Sequence, residues 1–226
     1  MKRSAAEIVR EYGPFPGVDS VAGVTFDGRN VWFASGEKVN ALDPSSGATV
    51  RSIDVPATAG TAFDGQHLYQ IADGSIRKIE PLTGNVVATI PAPPGTNSGL
   101  AWAEGSLWVG QYQERKIRQL DPQTGAIIRT IECNRFVTGV TWADGELWHG
   151  TWEDEKSELR HIDPHTGEVL ETLDMPENTI VSGLECDGGE RFYCGGGNSG
   201  KVRAVRKPRS DAARSEDEAR ASSPSV

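Results

Sequence analysis

The sequence predicts an all-β fold, a five-bladed β-propeller of four-stranded antiparallel blades, and three observations carry that expectation. One phrase recurs: a small residue, Gly, two further residues to an aromatic, a tight turn, and a Leu/Val-Trp/Tyr strand. Its glycines are Gly23, Gly60, Gly99, Gly139 and Gly183, spaced by 37, 39, 40 and 44 residues. That period, built of short strands and turns, matches one blade per repeat. Turn signals punctuate the copies: Asp-Gly, a hairpin dipeptide, and Asp-Pro-x-Ser/Thr-Gly, where Pro fixes φ and Gly supplies a positive one. Finally, Glu7–Tyr12 aligns with Glu168–Leu173, the outer strand of the fourth copy. The last blade is therefore closed by the N-terminal strand, which removes open edges.

The elements follow in order. In the first repeat, Gly23–Phe26 is the inner strand A and Asp27–Asn30 a hairpin turn. Val31–Ala34 is strand B, Val39–Leu42 strand C, Asp43–Gly47 a turn, and Thr49–Ile53 the outer strand D. The same grammar returns at Asp64-Gly65 with Glu80–Gly84, at Trp102 with Asp121–Gly125, and at Trp142 with Asp163–Gly167. The fifth copy keeps Gly183, Asp187-Gly188 and Phe192-Tyr193, then ends after strand C at Val202–Val205. The propeller thus spans residues 1–206, with repeats near 23–56, 60–93, 99–133, 139–176 and 183–206 plus 6–12. Residues 207–226, rich in charge, Ser and Ala, are expected to be a disordered tail.

Composition narrows the partners. The net charge of −9 argues against nucleic acid and against an anionic membrane, both of which need basic surface. No apolar run approaches membrane-spanning length. The N-terminal residues lack the apolar stretch of a secretory signal. Cys133, Cys186 and Cys194 form no C-x-x-C pair, so reduced thiols and a cytoplasmic location are expected. No cofactor is predicted. A divalent metal on Cys133, Cys194 and His149 lacks ligand spacing. The oligomeric state stays open.

The repeat also separates scaffold from site. The Asp-Gly and Asp-Pro-x-Thr-Gly turns are needed by each blade, and Trp32, Trp102, Trp108, Trp142 and Trp148 hold repeat positions suited to packing between blades. Trp152 lies instead in a B–C loop. Those loops share a face with the D–A connections, around the channel mouth. From the strand-B aromatic to the last apolar residue of strand C, blades 1 and 2 take 10 residues each, and blades 3, 4 and 5 take 12, 14 and 13. Surplus loop length is where function tends to be carried. The candidates for acid/base work are therefore Glu114, Glu153 and His149. The candidates for contact with a small-molecule or peptide ligand are Tyr112, Trp152, Arg135, Phe136, Asn97, Asn178 and Asn198. The ligand is expected off-centre, against blades 3 and 4. Three residues break the pattern inside strands. Arg191 stands where other blades have Val31 or Leu68, and His149 where they have Phe33 or Val109. Cys186 replaces an aromatic. Arg191 either pairs with a carboxylate or reaches water from a blade edge; His149 is either a channel-wall acid, base or ligand or a packed side chain.

The phrases Ser98-Gly99-Leu100-Ala101-Trp102 through Leu107-Trp108, and Leu120-Asp121-Pro122-Gln123-Thr124-Gly125, resemble the plant and bacterial glutaminyl cyclotransferases, and the resemblance covers residues 6–206. It implies a five-bladed propeller and conversion of an N-terminal Gln to pyroglutamate. The family sets Gln and Glu before the glycines of two successive blades, the Glu shuttling the proton. Here those positions hold Ala22, Ala59, Ser98, Thr138 and Ser182, none of which shuttles a proton near neutral pH. The chain is also similar to streptogramin-lyase propellers, whose His-Gly-Ile repeats serve metal-dependent chemistry. No repeat glycine here follows a His. The sequence thus leaves three readings: a ligand-binding propeller with cyclisation, elimination or hydrolysis by a loop carboxylate, a non-catalytic interaction scaffold, and a metal-dependent lyase.

Overall fold

The computed structural model describes residues 1–208. Two N-terminal strands, β1 (Lys2–Ala5) and β2 (Ile8–Tyr12), precede the first blade. Blade 1 is β3 (Val24–Phe26), β4 (Val31–Ala34), β5 (Gly36–Leu42) and β6 (Thr49–Ala57). Blade 2 is β7 (Thr61–Phe63), β8 (Leu68–Ala72), β9 (Ser75–Ile79) and β10 (Val86–Pro91). Blade 3 is β11 (Asn97–Ala103), β12 (Ser106–Gln111), β13 (Lys116–Leu120) and β14 (Ile127–Glu132). Blade 4 is β15 (Val137–Ala143), β16 (Glu146–Thr151), β17 (Glu158–Ile162) and β18 (Val169–Asp174). Blade 5 is β19 (Gly183–Cys186), β20 (Arg191–Gly195), β21 (Val202–Arg206) and, as predicted, β2, which pairs antiparallel with β21. Among the described residues, no helix is long and apolar enough to cross a membrane.

The repeat glycines have a steric cause. A Cβ on Gly183 would stand 2.7 Å from Ala22 O and Val24 N, and one on Gly99 would stand 2.7 Å from Val140 N. Gly23, Gly60 and Gly139 meet the next blade's innermost strand in the same way. Five backbones therefore close around the axis at a distance only glycine permits. Outside that ring the core divides into five clusters, one between each pair of blades. Trp32 fills the layer between blades 1 and 2, Trp108 that between 3 and 4, and Trp148 that between 4 and 5. Partly buried Trp102 packs on the layer between blades 2 and 3, and Trp142 on that between 3 and 4. The turns are as structural as expected. Asp121 Oδ1 accepts the backbone N–H of Gln123 and Thr124 at 3.0 and 2.8 Å, and Gly125 has φ 74°.

Three details correct the sequence reading. Blade 4 has a fifth strand: β1 runs parallel to β18, held by Arg3 Nε to Asp174 Oδ2 at 2.8 Å and Lys2 Nζ to Glu171 Oε1 at 3.0 Å. Blade 5 carries one more residue in its A–B turn, because Leu184 pairs with Cys194 where Val140 pairs with His149. Cys194, not Tyr193, is thus the counterpart of His149, and the blade-5 loop measured from Tyr193 to Val205 takes 12 residues. Arg191 opens β20 at an exposed position, bonded to Asp187 Oδ2 at 3.1 Å, and Phe192 takes the apolar slot that Leu147 holds in blade 4. The predicted tail of residues 207–226 lies outside the described residues except for Lys207 and Pro208. Lys207 is anchored: its N–H reaches Glu190 O at 2.8 Å and its Nζ Asp144 Oδ2 at 2.6 Å.

Candidate functional site

In each blade the residue before the repeat glycine faces the channel mouth. Those residues, Ala22, Ala59, Ser98, Thr138 and Ser182, line a cavity of about 310 Å3 at the channel mouth. All five blades thus contribute to its floor, and the B–C loops of blades 3 and 4 add two half-buried aromatic walls, Tyr112 and Trp152. Tyr112 Oη donates to Trp152 O at 3.3 Å, so the walls are joined. Behind them the Tyr112 ring stacks on Phe136 at 4.7 Å, and the Arg115 guanidinium lies 4.5 Å over the other ring of that pair, Phe136.

The floor hydroxyls are mostly committed. Ser98 Oγ has Val137 O at 2.7 Å and Gly110 O at 3.0 Å as acceptors for its single hydrogen, the closer one tying blade 3 to blade 4. Ser182 Oγ accepts Gly197 N–H at 3.1 Å. Thr138 Oγ1 is buried and makes no hydrogen bond among the described residues. Asn97 lines the cavity, accepting from Gln111 Nε2 at 3.1 Å and donating to Pro93 O at 2.8 Å.

The other candidates sit behind or away from this surface. Glu114 accepts the Thr96 N–H with both oxygens at 3.0 and 3.1 Å and braces the connection into blade 3. Glu153 is held between Arg115 Nη2 at 2.6 Å and Arg135 Nε at 3.4 Å. His149 is 1 % exposed, opposite Val140 and Arg160 in the sheet. Burial pushes its pKa down to about 4, so it is neutral near pH 7. Asn178 and Asn198 are exposed and do not line the cavity. Of the contact candidates, then, Tyr112, Trp152 and Asn97 meet at one surface, with Phe136 and Arg135 supporting them. No carboxylate or imidazole lines it. The cysteine–histidine grouping is not assembled: Cys194 lies between blades 4 and 5, and Cys133 packs between blades 3 and 4. Burial raises both thiols to about 12.

The sequence reading missed Glu185. It lies on β19 two residues past Gly183, beyond the glycine ring and toward the A–B turns. Thr25 Oγ1 of blade 1 donates to its Oε2 at 2.7 Å, and Thr141 Oγ1 of blade 4 to its Oε1 at 2.6 Å. Cys186 N–H adds a third bond at 2.9 Å. Dense protein around the carboxyl raises its pKa to about 7 against those three hydrogen bonds, although part of the side chain keeps contact with water. The signal was in the repeat: the matching positions hold Thr25, Ala62, Ala101 and Thr141.

Fold and cavity together define a closed five-bladed propeller with a neutral mouth on its ring axis. The chain belongs to the family whose model is described as outer membrane protein assembly factor BamB, which matches residues 72–215. Among solved structures it is similar to the glutaminyl cyclase of Myxococcus xanthus, at 18% identity and a TM-score of 0.76, covering 91% of this chain and 97% of that one. It is also similar to the hydrazine synthase of Kuenenia stuttgartiensis, at 16% identity and a TM-score of 0.51 over 87% of this chain. It spans 60% of that chain's length. A search of the curated proteins finds no match. At these identities the likeness is one of fold.

Proposed function

We propose that the protein is a binding propeller that takes a small uncharged molecule, or the uncharged end of a peptide, in its mouth cavity and does no chemistry on it. One observation carries the reading: the cavity is lined by aromatics, aliphatic side chains, hydroxyls and an amide and, among the described residues, by no ionisable group except the Tyr112 phenol, whose pKa burial raises. General acid–base work needs a group of suitable pKa within hydrogen-bond reach of the substrate. Glu114 and Glu153 are occupied as braces, and His149 is buried within blade 4. The chain shares its fold with a glutaminyl cyclase, but has no carboxylate before any repeat glycine.

The test is a thermal-shift and ammonia-release panel of Gln-dipeptides, N-acetyl amino-acid amides, small acids and divalent metals. Binding to the folded state raises the melting temperature by mass action. Neutral amides should raise it and Gln-dipeptides should release no ammonia; turnover at about 1 per second or faster overturns the non-catalytic reading. The scaffold reading stands second. It is favoured by the family description of an assembly factor and by exposed Val86, Val87, Ile127 and Ile128 on the outer strands. A reducing, cytoplasmic location is part of the proposal, supported by three free cysteines. The acidic balance of −9 supports partners other than nucleic acid or membrane.

A further inference from the structure

Strand C carries a second repeat that the glycine phrase hides. Arg77, Arg118, Arg160 and Arg203 occupy one position in blades 2 to 5, each opposite the residue that follows the strand-B aromatic. Each guanidinium is held by acceptors of its own blade or of the connection into it. Arg77 Nη2 meets Asp73 Oδ2 at 3.0 Å, and Arg118 Nη1 meets Thr130 Oγ1 at 3.1 Å. Arg160 meets Glu158 Oε2 at 2.7 Å and Asn134 Oδ1 at 2.5 Å, and Arg203 meets Glu11 Oε1 at 2.7 Å. In blade 1 the residue is Asn40, opposite Phe33.

The shorter side chain changes what fills the groove. Asn40 turns inward, donating to Ser35 Oγ at 2.8 Å and accepting from Ser52 Oγ at 2.7 Å. Beside it opens a cavity of about 730 Å3 between the B–C hairpin and the connection from β2 to β3. Its lining reproduces what the other blades offer a guanidinium. Ser52 stands where Thr130 accepts from Arg118. Glu37 lies in the B–C hairpin of blade 1, as Asp73 does in that of blade 2. Asp19 and Glu37 both line the cavity, and neither makes a side-chain hydrogen bond or ion pair among the described residues; Lys38, the one cation of the lining, is paired with Asp54 Oδ1 at 3.2 Å. Phe15 and Phe33, stacked 4.6 Å apart and almost wholly buried, give the lining an apolar part suited to an alkyl chain.

We infer that this blade-1 cavity is a binding site for an alkylguanidinium group, free or on an arginine side chain, taking the place that the protein's own arginine holds in the other four blades. It is separate from the channel mouth: the two cavities share no lining residue.

The experiment is calorimetric titration of the full chain with n-butylguanidinium and with its neutral isostere n-butylurea. For so few heavy atoms a Kd on the order of 1 mM is expected for the guanidinium, with butylurea at least tenfold weaker. Asn40→Arg should abolish binding by restoring the repeat's own guanidinium. Asp19→Asn with Glu37→Gln, both on the surface, should weaken binding about tenfold and keeps the test open if the first variant does not fold. Trp152→Ala should leave it unchanged. N-acetyl-arginine amide binding like butylguanidinium extends the site to peptide arginines. Equal binding of butylurea, no binding at 20 times the expected Kd, or undiminished binding to either the Asn40 variant or the double variant overturns the assignment.

Discussion

The two ends of the channel are built from the same strands and differ in one respect. At the mouth the position before each repeat glycine holds Ala, Ser or Thr, and the cavity above carries no charge-bearing carboxylate or base. Beyond the ring, two residues past the last glycine, a single carboxyl sits between hydroxyls of the two flanking blades. The ring of five glycines stands between them. The contrast shows that a propeller's axis is one geometry with two independently written surfaces: a residue's offset from the glycine decides which surface it belongs to. Chemistry at the mouth would need an acid one residue before a glycine, and this chain spends its one axial acid on the other side.

The partition itself is the largest lever. A Cβ at Gly139 would lie against Leu184 N and 2.6 Å from Gly183 C, both backbone atoms that cannot rotate away. Gly139→Ala should therefore cost about 3 kcal/mol or more, near the upper end for overpacking, read as a shift in the denaturation midpoint. Gly105→Ala, with open space around its Cβ but φ 68°, should lose only about 1 kcal/mol from backbone strain. Equal losses at the two sites would mean that the ring is not a close-packed partition.

The buried titratable groups give the next effect, and they act with opposite signs. Glu185 ionises near pH 7 when folded and near 4.5 when unfolded, so the folded state binds its proton more tightly. Its contribution is intact below pH 4.5 and is lost as pH rises through 7, by about 2–3 kcal/mol. His149 titrates near 4 folded and near 6.5 unfolded. Its contribution is present above pH 6.5 and is lost as pH falls through 4, by about 3 kcal/mol. Between these limits the two slopes offset each other. Glu185→Gln should make stability fall more steeply on acidification, and His149→Gln, which borrows the residue of blade 2 at that position, should make it fall more steeply toward pH 8. Parallel stability–pH curves for wild type and Glu185→Gln would show that the carboxyl is not held protonated.

How much of this was legible is itself a matter of repeats. The blades, their turns and the N-terminal closure follow from spacing, because each copy needs Gly23 and its counterparts for close backbone approach and Asp121-like residues to cap a turn. The one-residue slip in blade 5 came from reading Arg191-Phe192 as if the A–B turn had constant length; strand pairing, which spacing does not encode, resolves it. At the site, loop length pointed to Tyr112 and Trp152, which do face the mouth. It could not tell a carboxylate aimed at a cavity from one bracing a loop, as Glu114 does through Thr96 N–H. Strand β1 was invisible because Lys2–Ala5 has no apolar alternation and is held by ion pairs to Glu171 and Asp174.

The smallest change tests the mouth alone. Trp152 is half-buried on a loop outside the repeat, and what it gives the protein is its backbone carbonyl, which accepts from Tyr112 Oη. An alanine there keeps that carbonyl, so Trp152→Ala should alter folding stability by no more than about 0.5 kcal/mol. Its ring, however, is one of the two aromatic walls of the cavity, and loss of such a wall should weaken the best neutral binder of the amide panel about tenfold, equivalent to about 1.4 kcal/mol. The same substitution should leave the pH slope set by Glu185 untouched, since the glycine ring separates them. Glu114→Gln sharpens the contrast: it keeps an oxygen for Thr96 N–H and should alter that affinity by less than about twofold. A tenfold loss in Glu114→Gln, with Trp152→Ala neutral, would move the ligand off the aromatic walls and return the loop carboxylate to the centre of the site.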